Sequence, residues 1–345
     1  MKVFLTGPDG FLGSNLIREL LRRGHEVRAM LQAGRDPSTI ADLPIEKTNG
    51  DLLDPDSIVS AMDGCDAVIH AAASTAIWPP RSRAVCAINI DGTRNVLDAA
   101  KRNRVKRMVH VGTANSFASG TRDKPGDETG PYTFGRYGLD YMDSKYVAHQ
   151  IAQSYARKGD VPVVEVNPTF MWGPYDRAPG AGKMILRVCR GEAPGHAKGG
   201  RNCAAVKDTV VAIANALTMG SVGEAYILAG ENLSYREIFR KIGDVVNVKV
   251  RDRGYPNWIV KLTGIAASTW GVISRTEPVV SRAMARISCD EHFYSPAKAI
   301  RDLQLPQSPI EEAIEEAYKW FVANGYVFDS EGRLLRRIPT PRLAS

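Results

Sequence analysis

The chain has 345 residues, 44% apolar and 24% charged, with 31 Gly and 20 Pro; this is a folded globular composition and excludes disordered and fibrous classes. A net charge of +7 raises the question of an acidic partner, but Lys and Arg are interspersed with Asp and Glu except near the C-terminus, which argues against nucleic-acid binding. The five cysteines, Cys65, Cys86, Cys189, Cys203 and Cys289, are scattered, with neither a Cys-x-x-Cys pair nor a Cys/His cluster, which excludes a disulfide framework and a zinc site.

Residues 1–6 run directly into a strand without the basic stretch and small-residue cleavage site of a signal peptide, so a cytoplasmic protein is expected. No run reaches the roughly 18 uncharged apolar residues of a membrane span. From 1 to 168, strand-like runs at 3–5, 27–31, 67–72, 107–111 and 161–166 alternate with amphipathic segments, a βαβ series whose strands pair in parallel. After the first strand comes Thr6-Gly7-Pro8-Asp9-Gly10-Phe11-Leu12-Gly13. Glycines at this spacing let a βα turn tighten and let the backbone approach a pyrophosphate, while the helix N-terminus offers free N–H groups to the anion. An ordinary glycine-rich turn is the alternative. The helix that follows carries Leu12, Leu16 and Leu20 on one side, with Arg18, Glu19, Arg22 and Arg23 towards water, and stops at Gly24.

At the end of the second strand an acidic residue normally holds the ribose 2′-hydroxyl of NAD. This chain reads Met30-Leu31-Gln32-Ala33-Gly34-Arg35, and Gln32 with Arg35 points to the 2′-phosphate of NADP(H), NAD(H) being the alternative. Asp9, inside the glycine loop, opposes that choice by repelling the phosphate. Asp51 follows a third strand, placed either to reach the adenine edge or as a solvated turn carboxylate. Further along, Tyr141 and Lys145 sit four apart in a helix expected over 137–156, on one face and one turn apart. An ammonium beside a phenol lowers the phenol pKa from about 10; a mere surface pair is the alternative. After Pro168 the alternation weakens into a loop-rich excursion. A helix is expected over 208–219, a returning strand over 225–228, and helices over 236–245, 258–273 and 309–324.

Taken together, Thr6-Gly7-x-x-Gly10-x-x-Gly13, Asp51-Leu52, His70-Ala71-Ala72-Ala73, Asn89-x-x-Gly92-Thr93-x-Asn95, Tyr141/Lys145 and Asn167-Pro168 ahead of Gly173-Pro174 make the chain resemble the extended short-chain dehydrogenase/reductases. The tone is closest to dihydroflavonol reductases and 3β-hydroxysteroid dehydrogenases. The resemblance implies an α/β fold: a doubly wound parallel (Rossmann) sheet with a smaller, mostly helical C-terminal substrate lobe. Residues 1–168 with 205–228 would form the dinucleotide domain, 169–204 and 229–328 the lobe, and 329–345 a basic tail.

It also implies roles. Tyr141 would be the general acid/base, Lys145 would bind the nicotinamide ribose and tune the phenol, and Thr113, in place of the commoner Ser, would hydrogen-bond the same substrate oxygen. Gly7, Gly10, Phe11, Leu12, Gly13, Gln32, Arg35, Asp51, Leu52, Ala71, Ala72, Asn89, Lys145 and Pro168 would surround the dinucleotide, with Asn89 either a backbone tether, a ribose-side group or a helix cap. His149, where the family often has Glu, reads as a helix-face residue. The aromatic residues Trp78, Phe170 and Trp172 and the stripe Trp258, Leu262, Ile265, Ala266 and Trp270 favour a bulky apolar substrate. The stripe reads first as core packing, otherwise as a pocket wall or a peripheral membrane contact. The expectation is a homodimeric ketone/secondary-alcohol oxidoreductase. The alternatives are an NDP-sugar epimerase, with Arg187, Arg190, Lys198, Arg201 and Arg282 as a diphosphate clamp, and a non-catalytic nicotinamide sensor.

Overall fold

The computed structural model describes residues 1–327, so the basic tail expected at 329–345 lies outside the described residues. Among the described residues eleven strands form in chain order: β1 (Lys2–Thr6), β2 (Glu26–Leu31), β3 (Glu46–Asn49), β4 (Ala67–His70), β5 (Arg107–Val111), β6 (Val163–Pro168), β7 (Phe170–Trp172), β8 (Gly200–Ala205), β9 (Ala225–Leu228), β10 (Glu231–Ser234) and β11 (Glu291–His292). The helices are α1 (Phe11–Arg22), α2 (Pro55–Met62), α3 (Arg83–Cys86), α4 (Gly92–Arg102), α5 (Asp140–Arg157), α6 (Gly182–Cys189), α7 (Val206–Asn215), α8 (Tyr235–Val246), α9 (Asn257–Ser274), α10 (Arg282–Ile287), α11 (Ala297–Leu303) and α12 (Ile310–Ala323).

Seven strands make one parallel sheet in the order β3-β2-β1-β4-β5-β6-β9. The chain moves outward from β1 to β3 and then returns to lay β4 on the other side of β1. That reversal opens a crevice at the carboxyl ends of β1 and β4, where doubly wound sheets bind ligands. The strands are apolar on both faces because both are covered. Val3, Leu5, Val109 and Val164 pack against Leu16, Ile17 and Leu20 of α1 and Val210 and Ile213 of α7. Their neighbours Phe4, Met108 and Val163 face the other way, onto Ile58 of α2, Val96 and Leu97 of α4 and Ala152 of α5.

Two expectations change and a third gains an unexpected sheet. The helix carrying Tyr141 starts at Asp140, because Tyr137 closes a 3-10 turn and Gly138 adopts a left-handed φ of +67°. The second lobe is mostly helical, as expected, and it also holds a small sheet that was not expected: β10, β8 and β11, which β7 joins through β8, packed against α6, α8 and α12 around Ile185, Ile238, Ile314 and Phe321. Its central strand, Gly-Arg-Asn-Cys-Ala-Ala, has neither the alternation nor the β-branched content that marks a strand in sequence. The apolar stripe of α9 is not core: Trp258, Leu262, Ile265 and Trp270 are exposed, and the buried residues of that helix are Gly264 and Gly271.

Candidate active site

Thr6 ends β1 and Gly7 turns the chain with φ +71°, its Cα so close to the β4–α3 loop that an added Cβ would lie 2.8 Å from Ala72. A Cβ on Gly13 would lie 2.0 Å from the Gly7 carbonyl oxygen, so α1 can approach the turn only with glycine there. Gly10 differs: its Cβ would meet nothing nearer than the Gly7 oxygen at 3.5 Å. It caps α1 without a side-chain bond, and no acidic residue lies in the first turn. The opening N–H groups of α1, at Phe11, Leu12 and Gly13, therefore face the crevice beside a bare glycine, which fits a pyrophosphate.

The floor of the crevice is tied down by polar groups. Thr6 Oγ1 shares a 2.8 Å bond with His70 Nδ1 and accepts from the Ala72 N–H, while His70 Nε2 meets Thr93 Oγ1. Burial drives the His70 pKa down to about 3, so the ring is neutral and structural. Asn89, deeply buried, accepts from the Ser74 N–H and donates to the Ser74 carbonyl and to Ser144 Oγ; its amide is spent on tethering the loop after β4 to α5. Asp51 accepts from the Leu53 N–H and from Gln32 Nε2, and Leu52 is held by Asn95 at its carbonyl and packs on Gly92 of α4.

Arg35 and Asp9 are brought together: Arg35 Nε donates to Asp9 Oδ2 at 2.8 Å. The carboxylate that would repel a phosphate is thus neutralised by the guanidinium that would bind one.

At the other end of the crevice Thr113 follows β5, Pro168 ends β6 and α5 runs beneath, so Thr113, Tyr141, Lys145 and Pro168 converge on the sheet's carboxyl edge. The Lys145 ammonium is buried and donates to the Val111 carbonyl at 2.7 Å. Burial lowers its pKa to about 8, and the charge of Glu165 opposes that fall. The Tyr141 phenol does not follow the expected lowering. Burial pushes its pKa up and the neighbouring Thr113 hydroxyl pulls it partly back, while the ammonium is directed at Val111. Tyr141, Ile77, Tyr132 and Met284, all partly buried, pack against one apolar cluster that includes Phe117, Phe134 and Leu139.

A buried polar group beneath Lys145 was not singled out in the sequence. Glu165, fully buried in β6, accepts from His149 Nδ1 at 2.8 Å and from Gln153 Nε2 at 3.0 Å. Burial alone would lower the His149 pKa, but the bond and charge of Glu165 raise it overall. His110 and the Asn167 amide, also buried, have no hydrogen-bond partner among the described residues. The signal was present: a lone carboxylate in the strand Val-Val-Glu-Val-Asn requires a buried partner, and His149 and Gln153 recur on one face of α5. Among the described residues no group of His, Cys, Asp and Glu is arranged to hold a metal.

Trp172 does not line the crevice; it is fully buried in the second lobe's core, edge-on to Phe170 at 5.8 Å. Of the basic residues considered for a diphosphate clamp, Arg187 lies on α6, Arg190 follows it, Lys198 precedes β8 and Arg282 opens α10. Arg201, in β8, stacks on the Phe170 ring at 4.1 Å.

Residues 3–229 match the NAD dependent epimerase/dehydratase family. A Synechocystis protein with the provisional name dihydroflavonol 4-reductase is 32% identical over 330 residues, covering 94% of this chain and 95% of that protein. A 3 beta-hydroxysteroid dehydrogenase/Delta 5-->4-isomerase of Mycobacterium tuberculosis is 28% identical over 347 residues, covering 93% of this chain and 90% of the relative. Among solved structures, gox2253 is 31% identical with a TM-score of 0.83, covering 94% of this chain and 98% of its own.

Proposed function

Because the chain belongs to the NAD dependent epimerase/dehydratase family, the extended short-chain dehydrogenase/reductases, we propose that it interconverts a ketone and a secondary alcohol on a bulky, mostly apolar substrate. The observation that carries this reading is the convergence of Tyr141, Thr113 and Lys145 on the crevice edge, with the Tyr141 side chain packed on the same apolar cluster as Ile77, Tyr132 and Met284. Relatives named as reductases and steroid dehydrogenases support the substrate class.

A bound nicotinamide dinucleotide supplies the hydride chemistry; the chain's own residues hold and move the proton. A phenol whose pKa is pushed up by burial stays protonated at neutral pH and can donate to a substrate carbonyl oxygen. Thr113 donates a second hydrogen bond to the same oxygen, stabilising charge as it develops there. Lys145, charged and anchored on Val111, would hold the ribose hydroxyls with its remaining donors. The apolar surroundings exclude water from the reacting atoms.

Since Lys145 titrates at about 8, the charged form is present below that pH and lost above it, so kcat/KM for the dinucleotide should be flat through neutrality and fall as pH rises past about 8. Glu165→Gln removes the charge that opposes the fall in pKa, so the descending limb should move to lower pH. A limb unmoved by that substitution would detach Glu165 from Lys145.

We assign NADP(H) as the favoured dinucleotide, because no carboxylate ends β2 and Asp9 holds the Arg35 guanidinium at the glycine loop through Nε. Arg35→Ala should weaken NADPH by about tenfold or more, as for loss of a charge-assisted phosphate contact, with NADH affected much less. Equal losses for both, measured by fluorescence titration, would remove the 2′-phosphate assignment.

The epimerase reading keeps one supporting observation: Arg201 projects between Phe170 and Tyr235 with its Nε buried and without a partner among the described residues, a cation placed to receive a sugar nucleotide's diphosphate. Net change in nicotinamide absorbance with substrate separates the two, since an epimerase returns its hydride within each turnover.

A further inference from the structure

Helix α9 packs the wrong way round for a globular surface. Its inward side is made by Gly264, where an added Cβ would lie 2.4 Å from Ala285 of α10, and by Gly271, where one would lie 3.2 Å from the Trp78 ring. Its outward side carries large apolar groups: Trp258 is 64% exposed, Trp270 67% and Ile273 70%, with Leu262, Ile265 and Val272 also open. At 3.6 residues per turn, Trp258, Leu262, Ile265, Thr269, Val272 and Ile273 fall within one half of the helix circumference. Small residues face the protein and large ones face water, the inverse of what folding alone selects.

We propose that α9 docks the protein onto an anionic lipid surface, lying flat in the interface rather than crossing it. Among the described residues no helix is long and apolar enough to cross a membrane, and α9, about 27 Å long at 1.5 Å per residue, presents one apolar face with tryptophans near both ends, the side chain best suited to the headgroup boundary. The surrounding charge selects the kind of surface. Lys249, Arg251 and Arg253 precede the helix, Lys261 lies on it and Arg275 ends it; all five are exposed or half-buried, and none forms a salt bridge among the described residues. Of the acids nearby, Asp252 is engaged by Arg236 and His196 and Asp290 by Arg136 and Tyr137, leaving Glu277 within 249–277. A second copy is a poorer occupant, because a two-fold contact along α9 would set these cations against themselves. The surface also adjoins the crevice: Trp78 abuts Gly271, and α10, on which α9 packs, carries Met284, which packs on the same apolar cluster as Tyr141.

The test is cosedimentation of the full chain with vesicles of phosphatidylcholine alone or mixed with phosphatidylglycerol. About tenfold or more protein should sediment with the anionic vesicles than with the neutral ones, and added salt should reduce the difference. Trp258→Asp with Ile273→Asp should abolish sedimentation; both side chains project outward, and unchanged circular dichroism confirms the fold. Lys261→Glu with Arg275→Glu should remove the preference for anionic lipid. Tyr141→Phe should sediment like the parent, so binding is judged independently of the reaction. No sedimentation with either vesicle overturns the proposal, as does equal binding to both. A dimer by light scattering that the Asp variants convert to monomer would assign the face to a second copy instead.

Discussion

Replacing Tyr141 by phenylalanine is expected to lower turnover by about a hundredfold or more while leaving dinucleotide affinity within a few-fold, the size associated with loss of a general acid. The substitution removes one hydroxyl from a side chain that packs on the apolar cluster containing Phe134 and Leu139, so the ring and its neighbours remain. The lost oxygen is the one the Thr113 hydroxyl adjoins. Without it a substrate carbonyl has Thr113 as a donor of hydrogen bonds but no acid to transfer the proton. The comparison requires single-turnover rates at saturating dinucleotide; unchanged turnover would show that the proton comes from elsewhere.

The glycine loop gives the second large effect, and its members should fail differently. Gly10→Val is expected to leave the fold intact, because the space over Gly10 is bounded within the protein only by the Gly7 oxygen at 3.5 Å; its isopropyl group would fill the pyrophosphate position and abolish dinucleotide binding. Gly13→Ala is the smaller change on paper but the larger one in the fold. Its Cβ would stand 2.0 Å from the Gly7 oxygen and 2.9 Å from the Pro8 Cα, backbone that cannot rotate away, so α1 must move off the turn. Thermal denaturation should show Gly13→Ala several degrees less stable and Gly10→Val near the parent, with NADPH fluorescence titration flat for both. Normal titration by Gly10→Val would show that the phosphates lie elsewhere.

How much of this was legible depended on whether the cause was local. The parallel series was readable because short apolar runs and helical periods alternate, and the turn at Gly7 because its glycines answer contacts made within a few residues. The same holds for Tyr141 and Lys145, which one helix places together whatever surrounds it. Contacts set by the tertiary fold were not readable. The Asp9–Arg35 pair joins residues whose charges, taken separately, argued for opposite cofactors; only the folding of the loop after β2 back onto the glycine turn shows that they cancel. Trp172 looked like a pocket wall because its motif ends at a sheet edge, yet β7 leaves that edge to join the second lobe's sheet and takes the ring into that core. In α9 the apolar period was read correctly and its direction was not, since nothing in a period says which side of a helix has a neighbour. Gly264 and Gly271, seven apart on the opposite side, were the available clue: small residues in register mark a close helix approach.

Hydride transfer to a ketone is tested most directly by following nicotinamide absorbance when the protein, loaded with NADPH, is mixed with a panel of bulky apolar ketones, in parallel with Tyr141→Phe. A stoichiometric loss of absorbance with at least one ketone, matched by appearance of the secondary alcohol and slowed about a hundredfold or more in the variant, is the predicted result. Product formed while absorbance stays constant, or equal rates for the parent and Tyr141→Phe, would contradict it.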